Sequence, residues 1–115
     1  MTATELLVWG VVVHLLVDWL LQNRWVAQNK HSLRRPAGYV HAGLHGVAML
    51  LVFSPPAALA IAVAHLLIDT RRPLMWWARV MSHDASPPMA QIVHVWRDQA
   101  LHVGVIAAVA LLTGS

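Results

Sequence analysis

The sequence predicts an all-α fold: a four-helix transmembrane bundle built from two repeated helical hairpins, forming one membrane domain over residues 1–115. Three observations carry this. Hydrophobic residues are 58% of the chain and charged residues 11%, with a mean hydropathy of +0.59; the usual charged share is about 25%. Residues 36–68 and 99–115 hold no Asp, Glu, Lys or Arg. The apolar stretches are Leu/Ala-rich and lack period-two alternation, which favours helix over strand. A water-soluble domain cannot cover its surface with so few charges, and the same composition excludes disorder. Cys is absent, which excludes disulfides and thiolate metal sites.

Four spans follow, at about 3–21, 38–53, 57–69 and 95–112. Residues 3–21 do not read as a signal peptide. They lack a basic leading region, and Glu5, His14 and Asp18 interrupt the apolar run. Ser54-Pro55-Pro56 divides the long uncharged stretch, because proline cannot continue a helix and restricts the residue before it. The second and third spans therefore form a tight hairpin. Both are shorter than the ~20 residues of an ordinary span, so re-entrant or thinned-membrane packing is the alternative. Residues 73–85 predict a short interfacial helix, from Leu74, Met75, Trp76, Trp77, Val80 and Met81 beside Arg79. Ser86-Pro87-Pro88 closes that segment. Trp9, Trp19, Trp25 and Trp96 read as interface anchors.

The basic residues set the orientation. Arg24, Lys30, Arg34 and Arg35 follow the first span; Arg71, Arg72, Arg79 and Arg97 follow the third. The Pro-Pro turn and both termini carry none. The positive-inside rule places both basic loops in the cytoplasm and both termini outside, in a multi-pass protein of a bacterial inner membrane. Arg34, Arg35, Arg71 and Arg72 are also candidates for holding lipid phosphate.

The chemistry lies in pairs spaced four residues apart. They are His14/Asp18, His41/His45, His65/Asp69, His94/Asp98 and Asp98/His102. Roughly two such pairs would arise by chance at this composition. On a helix such residues stand one above the other and can grip one ion together. The orientation drawn from the loop charges puts one pair per helix in the same leaflet. His14-Leu15-Leu16-Val17-Asp18 and His65-Leu66-Leu67-Ile68-Asp69 match at four of five positions, so each hairpin begins alike. Parallel repeats about an axis along the membrane normal would deliver equivalent ligands to a central site. Asp at membrane depth costs ~2.5–3.5 kcal/mol, which calls for a partner.

The predicted metal ligands are His14, Asp18, His41, His45, His65, Asp69, Asp98 and His102. Imidazole and carboxylate suit one or two divalent ions, Zn²⁺ best, with Fe or Mn as alternatives. Gln22 and Gln99 would orient a ligand or hold a water. Gly43 and Gly46 would admit close helix packing. His31, His83 and Asp84 fall in loops and read as solvated.

These motifs, in order, resemble a small bacterial and phage membrane-protein family of unknown function. The resemblance rests on His14-x3-Asp18-x3-Gln22, Trp25 and Lys30, His41-x3-His45, His65-x3-Asp69, and Asp98-Gln99-x2-His102. It spans about residues 6–112 and implies a polytopic membrane protein with no established reaction. In that family a basic residue, often Lys, follows the second His-x3-Asp; here Arg71 and Arg72 occupy the region. A looser similarity is to membrane-bound metal-dependent hydrolases, which also use His-x3-Asp on apolar helices.

The expected function is a metal-dependent hydrolase acting on a lipid-linked or amphiphilic substrate, with Asp98 or Asp18 as base. Expected partners are membrane lipid and a second copy of the chain, with no nucleic acid. The competing readings are a metal-ion or proton transporter on the same residues, and a haem-binding membrane protein with histidine axial ligands. Neighbouring aspartates disfavour haem. Reporter fusions test the orientation. Fusions after Ser54 should read extracytoplasmic and fusions near Asp84 cytoplasmic; the reverse would remove the common-leaflet placement.

Overall fold

The computed structural model describes residues 1–83 and 86–115, so the expected solvated Asp84 and the end of the 73–85 segment lie outside the described residues. The described chain is all-helical, with six α-helices. Helix α1, Ala3–Leu15, starts on a reciprocal cap: Thr2 Oγ1 accepts from the Glu5 N–H at 3.1 Å, and the Thr2 N–H donates to Glu5 Oε2 at 2.8 Å. That cap accounts for the lone acid in an apolar run. The helix continues as a π-helical turn, Leu16–Leu20, where an ordinary α-helix was expected. Short helix α2, Arg24–Asn29, replaces part of the expected loop and is capped by Asn23 Oδ1 accepting from the Val26 N–H.

Helices α3, Pro36–Met49, and α4, Pro55–Asp69, both begin with proline in the first turn, where no N–H is needed. Helix α5, Arg72–Val80, lies in the expected interfacial segment. Helix α6, Met89–Thr113, begins six residues earlier than expected. The four longer helices pack in cyclic order: α1 on α3, α3 on α4, α4 on α6, and α6 back on α1. Among the described residues, two segments are long and apolar enough to cross a membrane, Ala3–Leu20 and Met89–Thr113. Helix α4 is apolar but has only 15 residues, or about 22 Å.

Burial is inverted relative to a water-soluble protein. Leu51, Leu111, Leu112 and Leu20 are more than 70% exposed, and all six tryptophans are exposed. Seven polar side chains are buried instead: His14, Asp18, His41, His45, His65, Asp69 and His102. The interior has two parts. One is apolar, formed by Leu6, Met49, Phe53, Ala58, Ile61 and Ile106 with their neighbours. The other is the His/Asp cluster.

Of the two glycines expected to admit close helix approach, Gly46 does so and Gly43 does not. A Cβ at Gly43 would meet nothing within 4 Å, whereas one at Gly46 would lie 3.0 Å from Ala62 Cβ. Gly10 is tighter: a Cβ there would lie 2.7 Å from Ile106 Cγ2 and 3.0 Å from the Phe53 ring. Gly10→Ala should therefore cost roughly 1–3 kcal/mol through overpacking. Gly43→Ala should be neutral or stabilise by up to about 1 kcal/mol. Thermal melts in detergent check both, and equal melting temperatures would refute the packing described for α1 against α6.

Candidate metal centre

Each of the four bundle helices brings at least one buried imidazole or carboxylate to one end of the bundle. Helix α3 presents His41 and His45 one turn apart, and α4 presents His65 and Asp69 likewise. Helix α6 supplies His102. The π turn after α1 supplies Asp18. Its wider turn changes the direction of Asp18 relative to His14, and π turns of this kind recur at functional sites. As a result His14 Nε2 stands 3.8 Å from Asp18 Oδ2, and Asp18 turns instead to α3.

His41 Nε2 donates to Asp18 Oδ1 at 2.9 Å. His45 Nε2 lies 3.4 Å and His65 Nε2 3.8 Å from the same oxygen. Two donor groups result: Asp18, His41, His45 and His65 form one, and His65, Asp69 and His102 form the other. Within each group the ligand atoms lie within 4.8 Å of one another. A tetrahedral site with bonds of ~2.0–2.1 Å needs donors about 3.3 Å apart, so modest side-chain closure completes it. His65 belongs to both groups. Asp69 Oδ2 lies 3.0 Å from His65 Nε2, and Asp69 Oδ1 lies 3.5 Å from His102 Nε2.

The state of the ring nitrogens is informative. His102 Nδ1 donates to the Asp98 backbone carbonyl at 2.8 Å, which leaves Nε2 as the free donor atom of a metal-ligating tautomer. His45 Nε2, His65 Nε2, His102 Nε2 and Asp69 Oδ1 are all buried without a hydrogen-bond partner. Each lies 3.0–3.8 Å from an opposite group without hydrogen-bond geometry, an arrangement that a shared cation would complete.

The remaining expected residues surround the cluster. His14 packs its ring 5.1 Å from that of His102 and belongs to neither donor group. Its Nε2 donates to Gln99 Oε1 at 3.0 Å. Gln99 Nε2 donates in turn to Asp18 Oδ2 at 2.9 Å and to Asp98 Oδ2 at 3.1 Å. Gln99 thus holds Asp18 by its second oxygen. Asp98 also lies outside both donor groups and stands at the rim, with its side chain 15% exposed. Gln22 keeps a buried, unpartnered Oε1 beside the same rim.

A cavity of about 190 Å³ opens from Asp18 past Gln22, Asp98 and Gln99 to Lys30 and Arg71. Arg34, Arg35 and Arg72 are exposed and do not line it. Two residues that no sequence pattern marked as site residues close over the cluster. Lys30 Nζ lies 3.8 Å from Asp69 Oδ1, and His31 Nδ1 donates to the Asp69 backbone carbonyl at 2.9 Å. Gly38 allows this, because a Cβ there would lie 2.9 Å from the Lys30 carbonyl oxygen. The only sequence signal for the position was Lys30 in the family pattern.

A family profile described as a protein of unknown function, DUF3307, matches residues 6–115, so the chain belongs to that family. This agrees with the resemblance to an uncharacterised family. No curated protein and no solved structure matches the chain.

The two donor groups distinguish His65 from His14. His65→Ala removes a donor from both groups and should abolish stoichiometric metal binding in elemental analysis. His14→Ala should retain most of the metal. Because binding energy is then also folding energy, chelation should lower the melting temperature of the wild type and leave His65→Ala nearly unchanged. A melting curve insensitive to chelator in both proteins would mean that the cluster is held by hydrogen bonds alone.

Proposed function

We propose that this DUF3307 member is an integral membrane metal-binding protein, a metal-dependent hydrolase acting on a lipid-linked or amphiphilic substrate at the cytoplasmic leaflet. One observation carries the metal. Four buried, unpartnered donor atoms of His45, His65, His102 and Asp69 adjoin the Asp18–His41 pair inside an apolar bundle. One or two divalent cations would satisfy all of them. A nitrogen and oxygen donor set without thiolate suits Zn²⁺, and admits Fe or Mn. The membrane reading rests on the inverted burial, with leucine and tryptophan outside and His/Asp inside. Two repeated hairpins, each opening with His-Leu-Leu-x-Asp, would bring the ligands to a common depth.

The hydrolase is favoured over a transporter by the packing on either side of the cluster. The basic side has a cavity that reaches Asp18. The opposite side is filled by Met49, Phe53, Ile61, Ile106 and their neighbours. A substrate can enter and leave by one mouth; a transported ion needs a second.

When bound, a divalent ion supplies Lewis acidity and makes water acidic enough to react near neutral pH. The chain's own residues do the rest. Asp98, partly exposed on the cavity wall, is placed to take a proton from water entering there. Asp18 is the deeper alternative, with Gln99 fixing its second oxygen. Lys30 brings a positive charge beside Asp69 and to the same cavity, where an anionic group would be held.

Asp98→Asn and Gln22→Ala should keep the metal, because neither residue is in a donor group. Asp98→Asn should lower turnover by about 10²-fold or more on a panel of amphiphilic esters and phosphoesters. Ion uptake into liposomes that depends on His65, with no panel member cleaved, would replace the hydrolase by a transporter.

A further inference from the structure

A second cavity, of about 780 Å³, lies between α5 and α6 and is larger than the one that reaches Asp18. Its described lining includes Arg71, Arg79, Arg97, His83 and His94, and no carboxylate. Its apolar side is formed by Met75, Ala78 and Val95. The volume falls in the range of ordinary ligand pockets, ~300–1,000 Å³. Arg71, His94 and Val95 line both this cavity and the smaller one that reaches Asp18. The two spaces therefore share a wall at these three residues.

Two details single out Arg97 and Arg71 among the lining residues. Arg97 Nη1 donates to His83 Nδ1 at 2.7 Å, while Arg97 Nε is buried with no hydrogen-bond partner. Arg71 holds a left-handed backbone, φ 67°, at the junction before α5. For a non-glycine residue that conformation costs ~1–3 kcal/mol and persists only where the surroundings impose it. It falls on the one arginine common to both cavities.

We infer that the outer cavity binds a phosphate monoester, with the lipid-phosphate headgroup as its source. A singly charged carboxylate would be satisfied by one guanidinium. Three planar guanidinium forks around one space match the several oxygens and double charge of a monoester. The lipid end of such a molecule has a bed beside the cavity. Helix α5 buries Leu74 and exposes Met75, Trp76, Trp77 and Val80 on a short amphipathic surface. The inference deepens the hydrolase reading and rests on it for the ligand's fate. Water would add to phosphorus, the P–O bond to the lipid alcohol would break, and the proton would pass to the leaving alkoxide. Binding itself requires only the arginines.

The test is calorimetric titration of the purified full chain in detergent with three probes. They are a non-hydrolysable phosphonate analogue of phosphatidic acid, phosphatidylglycerol as the phosphodiester control, and inorganic phosphate. The phosphonate should bind roughly tenfold or more tighter than phosphatidylglycerol. Arg79→Gln and Arg97→Gln should each weaken it by about tenfold, Arg79→Lys less, and Arg24→Gln, at the exposed start of α2, not at all. Inorganic phosphate binding as tightly as the lipid, with the same arginine dependence, would keep the anion site and assign it a soluble source. Equal affinity for monoester and diester, or equal loss in Arg24→Gln, would overturn the inference. The readout does not depend on turnover. Arginine-dependent binding by metal-loaded protein that cleaves no amphiphilic ester or phosphoester would sink the hydrolase alone; metal-loaded protein that ignores the phosphonate would sink this inference alone.

Discussion

The burial of two aspartates and five histidines inside a leucine-covered bundle governs the rest of this structure. Burying each carboxylate is costly, and a partly satisfied polar network is worse than an apolar interior. The cluster must therefore be completed from several directions. All four bundle helices contribute to it. The π turn directs Asp18 toward α3, and the short connection through α2 brings Lys30 and His31 over Asp69. Gly38 is small because the Lys30 carbonyl passes against it. Local features that seem unrelated along the chain serve this one requirement.

The same requirement divides the molecule along its length. One helical turn from the cluster, Phe53 and Ile106 close around Gly10, with Met49 in the same apolar part, which needs no polar partner. At the cluster, packing gives way to imidazole and carboxylate. Beyond it lie the two cavities and the basic side chains. The molecule is thus graded from a packed apolar base through a polar centre to a cationic mouth.

Much of the site was legible in the sequence because helical spacing converts directly into a shared face. His41 with His45 and His65 with Asp69 needed only the four-residue period, and the repeated His-Leu-Leu motif linked the two halves. Gln99 adjoined that pattern and stands at its edge. The parts that escaped arise from tertiary structure. A π turn inserts a residue that no apolar period announces, so Asp18 bonds His41 directly while His14 reaches it through Gln99. Lys30 and His31 lie in a connection whose path is set by packing on α3. Arg34, Arg35, Arg71 and Arg72 were equivalent as loop charges. Only Arg71, fixed in a left-handed turn, reaches a cavity wall. Of two glycines expected to admit close packing, Gly46 faces Ala62, while Gly43 faces open space, because the period marks a helix face but not its neighbour.

The central claim is that histidine nitrogen and aspartate oxygen hold a divalent ion inside the bundle. X-ray absorption at the edge of whatever metal co-purifies with the full chain tests it most directly. The account predicts a first shell of nitrogen and oxygen only, at ~2.0–2.1 Å for Zn²⁺, with the outer-shell scattering of several imidazoles. Protein that carries no transition metal after purification without chelator, or a metal whose shell lacks imidazole, would contradict it.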